Sequence, residues 1–588
     1  MRTAFFWTLL LTALTVIAVP SVFVRAAEIQ PALRRPIAIQ LSADNQWAVT
    51  ANRRSGSLSL IDLAQQKTVR EIPLGKQLSD MVTTADRRTW LVTDEEAHEL
   101  LIVTPSADFT QWQVRQRLAV SPYPVSVVAS RDGRTCSVAS LWSRRLTIID
   151  LAQAETDSAK VVHVVDLEIA PRKQLLVEDD RRLIAADAFG GKLVVVDLAS
   201  GRIVREREFP GHNVRGLGLS ADGKMLLIAQ QMLNDYAHTN RNDVHWGLLM
   251  SNDLRWVRLE HVLAGAKDLY KGGHMHPLGH AGNGQADPTH LAVGPDGTVV
   301  VTIGGTKEIS FGKEGDFSLQ RLDVGHRPSC VAISNDGNRA YIANQFGDSI
   351  TVVDLAQRET LKEIPLGPMP KLSQRDQGEI LFYDASVSHD GWMSCHSCHT
   401  DGHSNGQMND NTSDDSFGAP KRVLSLLGRA DTAPFAWNGS SKSLAAQIRK
   451  SITNTMQSDN TPTNEDVAAL VSFVESLPPP PSVDAARGTA DRQAIARGEA
   501  LFNSQGCVRC HAPPSYTTPK TYDVGLKDKL GNEYFNPPSL RGVAQRAPYF
   551  HDNRAATLTE VFRQHQHQLD DPLSDKELSD LLAFLRSL

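Results

Sequence analysis

The sequence predicts a multidomain chain: an all-β seven-bladed propeller over residues 30–368, then two small all-α domains over 371–477 and 488–588. Three observations carry this. A turn centred on Asp recurs at intervals of 42, 46, 48, 42, 74 and 40 residues in the first part. Two Cys-x-x-Cys-His units stand in the second part, at 395–399 and 507–511. The residues around one unit repeat those around the other. The composition, 41% hydrophobic and 22% charged, is that of a globular chain able to bury sizeable cores. A net charge of −6 without a long basic run excludes the phosphate-neutralising surface of a nucleic-acid binder.

The chain opens with Arg2, an apolar run from Ala4 to Val19, Pro20 and Val24-Arg25-Ala26. This pattern predicts a secretory signal over 1–26, cleaved after Ala26. The alternative is an uncleaved anchor, since 4–24 approaches the roughly 20 residues needed to span a bilayer. No later segment is comparably apolar, so stable membrane insertion is not expected after cleavage. A periplasmic or secreted location follows.

Each repeat unit carries a turn such as Ser130-Arg131-Asp132-Gly133, Ser220-Ala221-Asp222-Gly223 or Ser334-Asn335-Asp336-Gly337, then an alternating apolar strand. Most units end in an element such as Val196-Asp197-Leu198-Ala199 or Val353-Asp354-Leu355-Ala356. Units of 40 to 48 residues built from short strands cannot bury both sheet faces until neighbours stack radially, which predicts propeller blades. The last unit, with Tyr341-Ile342-Ala343-Asn344, resembles the YVTN family of propeller repeats. Closure by strands from both ends of the region is expected, because it removes exposed edges. The two cysteines here, Cys136 and Cys330, are expected as buried free thiols.

The 74-residue interval holds an insertion at about 230–290 with seven of the 19 histidines. His274-x-His276 is its one tight metal-like spacing. The other reading is a polar loop, built from Tyr236, His238, Arg241, His245 and Trp246, that covers a pocket on the neighbouring domain.

From residue 371 the pattern turns helical. Cysteines three apart reach the two vinyl groups of one haem, and the adjoining histidine meets the iron. Cys395, Cys398 and His399 therefore predict one covalently bound haem c, and Cys507, Cys510 and His511 a second. Haem c is attached outside the cytoplasm, which agrees with export. Gly378-Glu379-Ile380-Leu381-Phe382 precedes the first unit as Gly498-Glu499-Ala500-Leu501-Phe502 precedes the second. Ala433-Pro434-Phe435 likewise matches Ala547-Pro548-Tyr549. The halves are two cytochrome c-like domains joined by a stiff linker over 478–487 that begins with four prolines.

With Asp401-Gly402 and Phe435-Ala436-Trp437-Asn438-Gly439, residues 371–588 resemble the bacterial dihaem cytochrome c peroxidase family, which includes the MauG-like enzymes. The resemblance implies an electron-transfer haem, a peroxide-reactive haem and a tryptophan between them, which falls on Trp437. It also raises a calcium ion between the haems, and as partners a small redox substrate or peroxide and an external electron-transfer protein. The family's distal ligand of the second haem falls at His565, with His567 two residues on, so His511 and His565 are the expected iron ligands there. Histidine in place of methionine lowers the potential. The matching place in the first half is Ser451, leaving the first haem with His399 and an open face, for which His403, Met408 and Met456 are candidate occupants.

The family's catalytic Glu is replaced by Thr455, and a hydroxyl is a poor proton acceptor beside a carboxylate. Asp459 or a propeller histidine is the expected substitute, so Trp437, His403 and Asp459 are the candidate catalytic residues. The leading expectation is a dihaem oxidoreductase in which the second haem relays electrons to a reactive first haem. The alternative is a pure electron-transfer protein whose propeller docks a partner. The fusion of a propeller to dihaem domains is architecturally similar to hydrazine synthase.

Overall fold

The computed structural model of the chain describes residues 22–24, 30–151, 158–412 and 416–588. The expected signal sequence lies outside the described residues, apart from the short strand Val22–Val24, which pairs antiparallel with 112–114.

Seven antiparallel sheets form the propeller, at 36–73, 78–119, 124–166, 171–208, 212–277, 288–323 and 328–365, here called blades 1 to 7. In each blade the middle strands are almost wholly buried, as in Trp47–Asn52 and Arg339–Asn344. The outermost strands Arg202–Glu208 and Glu359–Pro365 are largely exposed. Blade faces therefore bury each other, and the core is a set of apolar layers between neighbours.

The recurring Asp has a local job. Ser42 Oγ donates to Asp44 Oδ1 at 2.5 Å, and the same carboxylate oxygen accepts from the Gln46 amide at 3.0 Å. Ser130, Ser220 and Ser334 repeat the contact at 2.5, 2.7 and 2.6 Å. The fourth turn has no serine and instead carries Glu178, Asp179 and Asp180 through positive φ of 53°, 52° and 63°.

Closure differs from expectation. Every blade is built on four consecutive strands, blade 2 carrying Val22–Val24 as a fifth beside its last strand, and neither blade 1 nor blade 7 mixes strands from both ends of the region. The ring closes by side-on contact of blades 1 and 7: Ser329 Oγ donates to Pro36 O and Thr68 Oγ1 to Pro365 O, both at 2.8 Å. Side-chain donors on facing blades make a shared sheet unnecessary. Cys136 and Cys330 are buried and unpaired.

In the first haem domain the helices Gln374–Phe382 and Asn464–Glu475 cross where a Cβ on Gly378 would stand 1.9 Å from the Ala469 carbonyl oxygen. In the second, Arg492–Ser504 and Asp575–Ser587 cross where a Cβ on Gly498 would stand 2.0 Å from Asp580 O. Glycine is required at both crossings for the same reason: only it lets two helix backbones touch. The bridges Phe435↔Ser441 and Tyr549↔Ala555 occupy matching places. No helix among the described residues is long and apolar enough to cross a membrane.

The first haem domain is seated on the propeller through buried polar contacts. Asp401 is held by Arg172 at 2.6 Å and Arg215 at 2.8 Å. Asp287 accepts from Ser394 and Ser397, at 2.5 and 2.6 Å, and the His212 ring lies 2.9 Å from Ser397 O. The Arg327 guanidinium stacks 3.8 Å over the Tyr383 ring. The domain's apolar core also takes Leu233, Ala237, Val244 and Met250 from the blade 5 insertion, packed with Trp392, Ile452 and Met456. The linker helix Val483–Arg487 ties the second domain down, with Arg487 Nε donating to Ser143 O at 2.8 Å.

Candidate dihaem centre

The first Cys-x-x-Cys-His unit forms the one-turn helix Cys395–Cys398, capped by Ser394 and Ser397, the same hydroxyls that donate to Asp287. The propeller thus positions the haem-attachment turn itself. His399 Nδ1 lies 2.8 Å from Leu424 O, and His511 Nδ1 lies 3.2 Å from Tyr516 O. With Nδ1–H donating to a carbonyl, Nε2 of each ring carries the lone pair an iron needs. Burial pushes both imidazoles down to about 4, so they are neutral and ready to ligate.

Cys395, Cys398 and His399 line a cavity of about 220 Å³, and Cys507, Cys510 and His511 a second of about 360 Å³. Trp437, Arg422 and Arg429 line both. Trp437 is nearly buried, fixed by its indole N–H donating to Arg422 O at 2.7 Å. Arg546 lines the second cavity only. These three guanidiniums are buried and none meets a carboxylate among the described residues; Arg422 Nε and Arg546 Nε have no partner at all. Burial pushes Arg422 and Arg429 down to about 10 and Arg546 well below its usual value. Buried cations need anions, and haem propionates have the charge and the geometry for a guanidinium fork. Paired Cys-x-x-Cys-His units, neutral histidines and buried arginines that meet backbone carbonyls but no carboxylate among the described residues fit two covalently bound haem c groups.

The remaining sequence candidates separate. Of the three proposed for the open face of the first haem, Met456 lines the cavity, while His403 and Met408 do not. His403 is instead buried between domains, 2.9 Å from Ser425 Oγ and 2.9 Å from Gln545 O, against the Trp142 and Phe189 rings. Both its nitrogens are engaged, and burial pushes it down to about 3. Asp459 lies outside the cavity, paired with Arg241 and 3.0 Å from His389 Nδ1. Thr455 and Ser451 do line the cavity, with Gln447, whose buried Oε1 has no partner. No Asp or Glu lines it among the described residues.

In the second half, His567 lines the cavity and His565 does not; the His565 ring faces Arg554 O at 3.2 Å. Burial and the neighbouring His511 and His565 hold His567 down to about 4. The insertion loop lies against the first haem domain, where His238 stacks on Phe417 at 4.5 Å, but it backs the cavity wall without lining the cavity. His276 has one ring nitrogen 3.0 Å from Trp256 Nε1 and the other 2.8 Å from Asp316 O, so the His274-x-His276 spacing holds no free ligand pair. The arginines were missed because nothing local marks a charged residue as buried; their one signal was proximity to the repeated Pro-aromatic motifs.

Residues 373–478 match the family model described as di-haem cytochrome c peroxidase, and 495–588 that described as cytochrome c. A cytochrome c551 peroxidase of Nitrosomonas europaea is 27% identical over 40% of this chain and 85% of its own length. A methylamine utilization protein MauG of Methylorubrum extorquens is 28% identical over 36% of this chain and 76% of its own. Among solved structures, hydrazine synthase of Kuenenia stuttgartiensis aligns with 56% of this chain and 98% of its own at 20% identity and a TM-score of 0.48.

Proposed function

For a seven-bladed propeller joined to a pair of haem domains similar to those of peroxidases and MauG, we propose a periplasmic dihaem oxidoreductase, peroxidase-like in class, whose reactive centre is the His399 site. Haem supplies one-electron redox chemistry and, with an open face, a place for a small oxidant. The chain's residues divide the work. Leu424 O orients the His399 imidazole, which would hold the first iron, and His511 with His567 would hold the second. Arg422, Arg429 and Arg546 would neutralise the propionates of bound haem. Trp437 lines both cavities and would stand between the two haems as a path for electrons. Gln447, Ser451 and Thr455 offer hydrogen bonds to a small polar ligand, with proton transfer left to hydroxyls and water.

The observation that carries this reading is the asymmetry of the two cavities: besides His511 the second is lined by two further histidines, His551 and His567, whereas among the described residues the first has His399 alone. Peroxide or another small redox substrate would enter the first, and an external electron-transfer protein would exchange electrons with the second. Mixing the ferric, fully haem-loaded protein with hydrogen peroxide tests it. A Soret change confined to one of the two haems is expected, and no change in either at millimolar peroxide contradicts it. A second reading, pure electron transfer in which His399 and Met456 would both hold the first haem, is favoured by Met456 on the cavity wall and by the absence of a lining carboxylate among the described residues. It predicts that second, silent outcome.

A further inference from the structure

Where the blade 5 insertion meets the first haem domain, three side chains from two segments converge. His245 ends the short helix Arg241–His245, capped by Asn240. His389 and Asp390 precede the haem-attachment turn, with Asp390 at a left-handed φ of 55°. His245 Nδ1 lies 2.7 Å and His389 Nε2 3.1 Å from the same oxygen, Asp390 Oδ2. All three atoms lie within 4.8 Å of one another. Ligands about 2.0–2.2 Å from a tetrahedral zinc stand roughly 3.3 Å apart, so the cluster needs little rearrangement to close on an ion.

Its surroundings have the features of a metal site. The other nitrogen of His389, Nδ1, is held by Asp459 Oδ2 at 3.0 Å, the outer carboxylate that fixes the tautomer of a metal-binding histidine. Asp459 is itself oriented by Arg241. The Trp392 indole N–H donates to His245 O at 3.1 Å and so fixes the helix end. The His389 side chain is 8% exposed while that of His245 is 41% exposed, so the ion would sit at the mouth of a polar notch with a side open to water.

We propose that His245, His389 and Asp390 bind one divalent transition-metal ion, zinc above all, with Asp459 as the outer partner of His389. Two imidazoles and one carboxylate form a borderline-soft set suited to zinc. The ion would clamp the propeller insertion to the first haem domain. It would also stiffen the cavity wall, because the His389 amide donates to Met456 O at 2.9 Å and Met456 lines that cavity. The clamp is independent of whether the first haem is catalytic.

The test is a zinc chloride titration of the chelator-treated, haem-loaded protein against a chromophoric competitor, with X-ray absorption at the zinc edge. One zinc per chain is expected, with nitrogen and oxygen ligands at about 2.0–2.2 Å and no sulfur. His245→Ala, Asp390→Asn and Asp459→Asn should each weaken binding by about 10-fold or more, with unchanged haem spectra. His274→Ala, at the other histidine pair, should leave it unchanged. Binding equally tight in His245→Ala and Asp390→Asn, loss on His274→Ala, or absence of tight binding in the unsubstituted protein overturns the proposal. The absorption spectrum of the unsubstituted protein decides the ligand set even if a variant fails to fold.

Discussion

Replacing Asp401 by Asn tests whether the propeller holds the first haem domain by charge. Asp401 joins two arginines from different blades, Arg172 at 2.6 Å and Arg215 at 2.8 Å, with side-chain exposures of 24%, 18% and 11%. Burial pushes this carboxyl up, but Arg172 and Arg215 outweigh it and hold it well below the usual carboxylate range. Asparagine keeps the shape and leaves two neighbouring guanidiniums without their anion. Breaking such a pair costs roughly 3–5 kcal/mol when buried, and the partial exposure here argues for about 3. That corresponds to about a 150-fold rise in the undocked or unfolded population at fixed denaturant. The assay is guanidinium unfolding followed through the first haem's absorbance. The pH dependence gives a second readout. The lowered carboxyl contributes stability above its unfolded pKa near 4, and the contribution is lost as pH falls through the lower folded value. Asp401→Asn should therefore be destabilised at neutral pH and approach the unsubstituted protein in strong acid. A loss under about 1 kcal/mol at neutral pH, the range of an exposed pair, would refute the reasoning.

Three further outcomes follow from the geometry. His567→Ala should turn the second haem from low-spin to high-spin in the ferric optical spectrum, whereas His565→Ala should leave it low-spin. Thr455→Glu restores a carboxylate on the first cavity's wall and should raise peroxide turnover by about 100-fold, the lower end of what a positioned acid/base contributes; an unchanged rate would show that proton transfer is not limiting. Gly498→Ala forces a Cβ to 2.0 Å from Asp580 O, and the separation of the crossing helices should cost about 1–3 kcal/mol in denaturant unfolding of the second haem domain.

What the sequence made legible is what short-range chemistry writes. The Asp turns could be read because each carboxylate closes a loop with a hydroxyl two residues away and an amide two residues on. The haem units could be read because attachment needs a fixed spacing, and the duplicated domains because each helix crossing needs its glycine. Long-range pairing was not legible. Nothing near Asp401 announces Arg172, and nothing near Ser397 announces Asp287. His403 is a candidate for the open face of the first haem in the sequence, although it stands only four residues after His399, and its partners in the fold are Ser425 and Gln545. His565 and His567 both pack edge-on against Phe550, yet only His567 lines the cavity, a difference that two positions in one short loop do not announce.

The central claim, a reactive first haem beside a six-coordinate second, is tested most directly by low-temperature EPR of the ferric, fully haem-loaded protein. The account predicts a high-spin signal from the His399 haem together with a low-spin bis-histidine signal that disappears in His567→Ala. Two low-spin signals in the resting protein, one of them lost on Met456→Ala, would contradict it and leave electron transfer as the function.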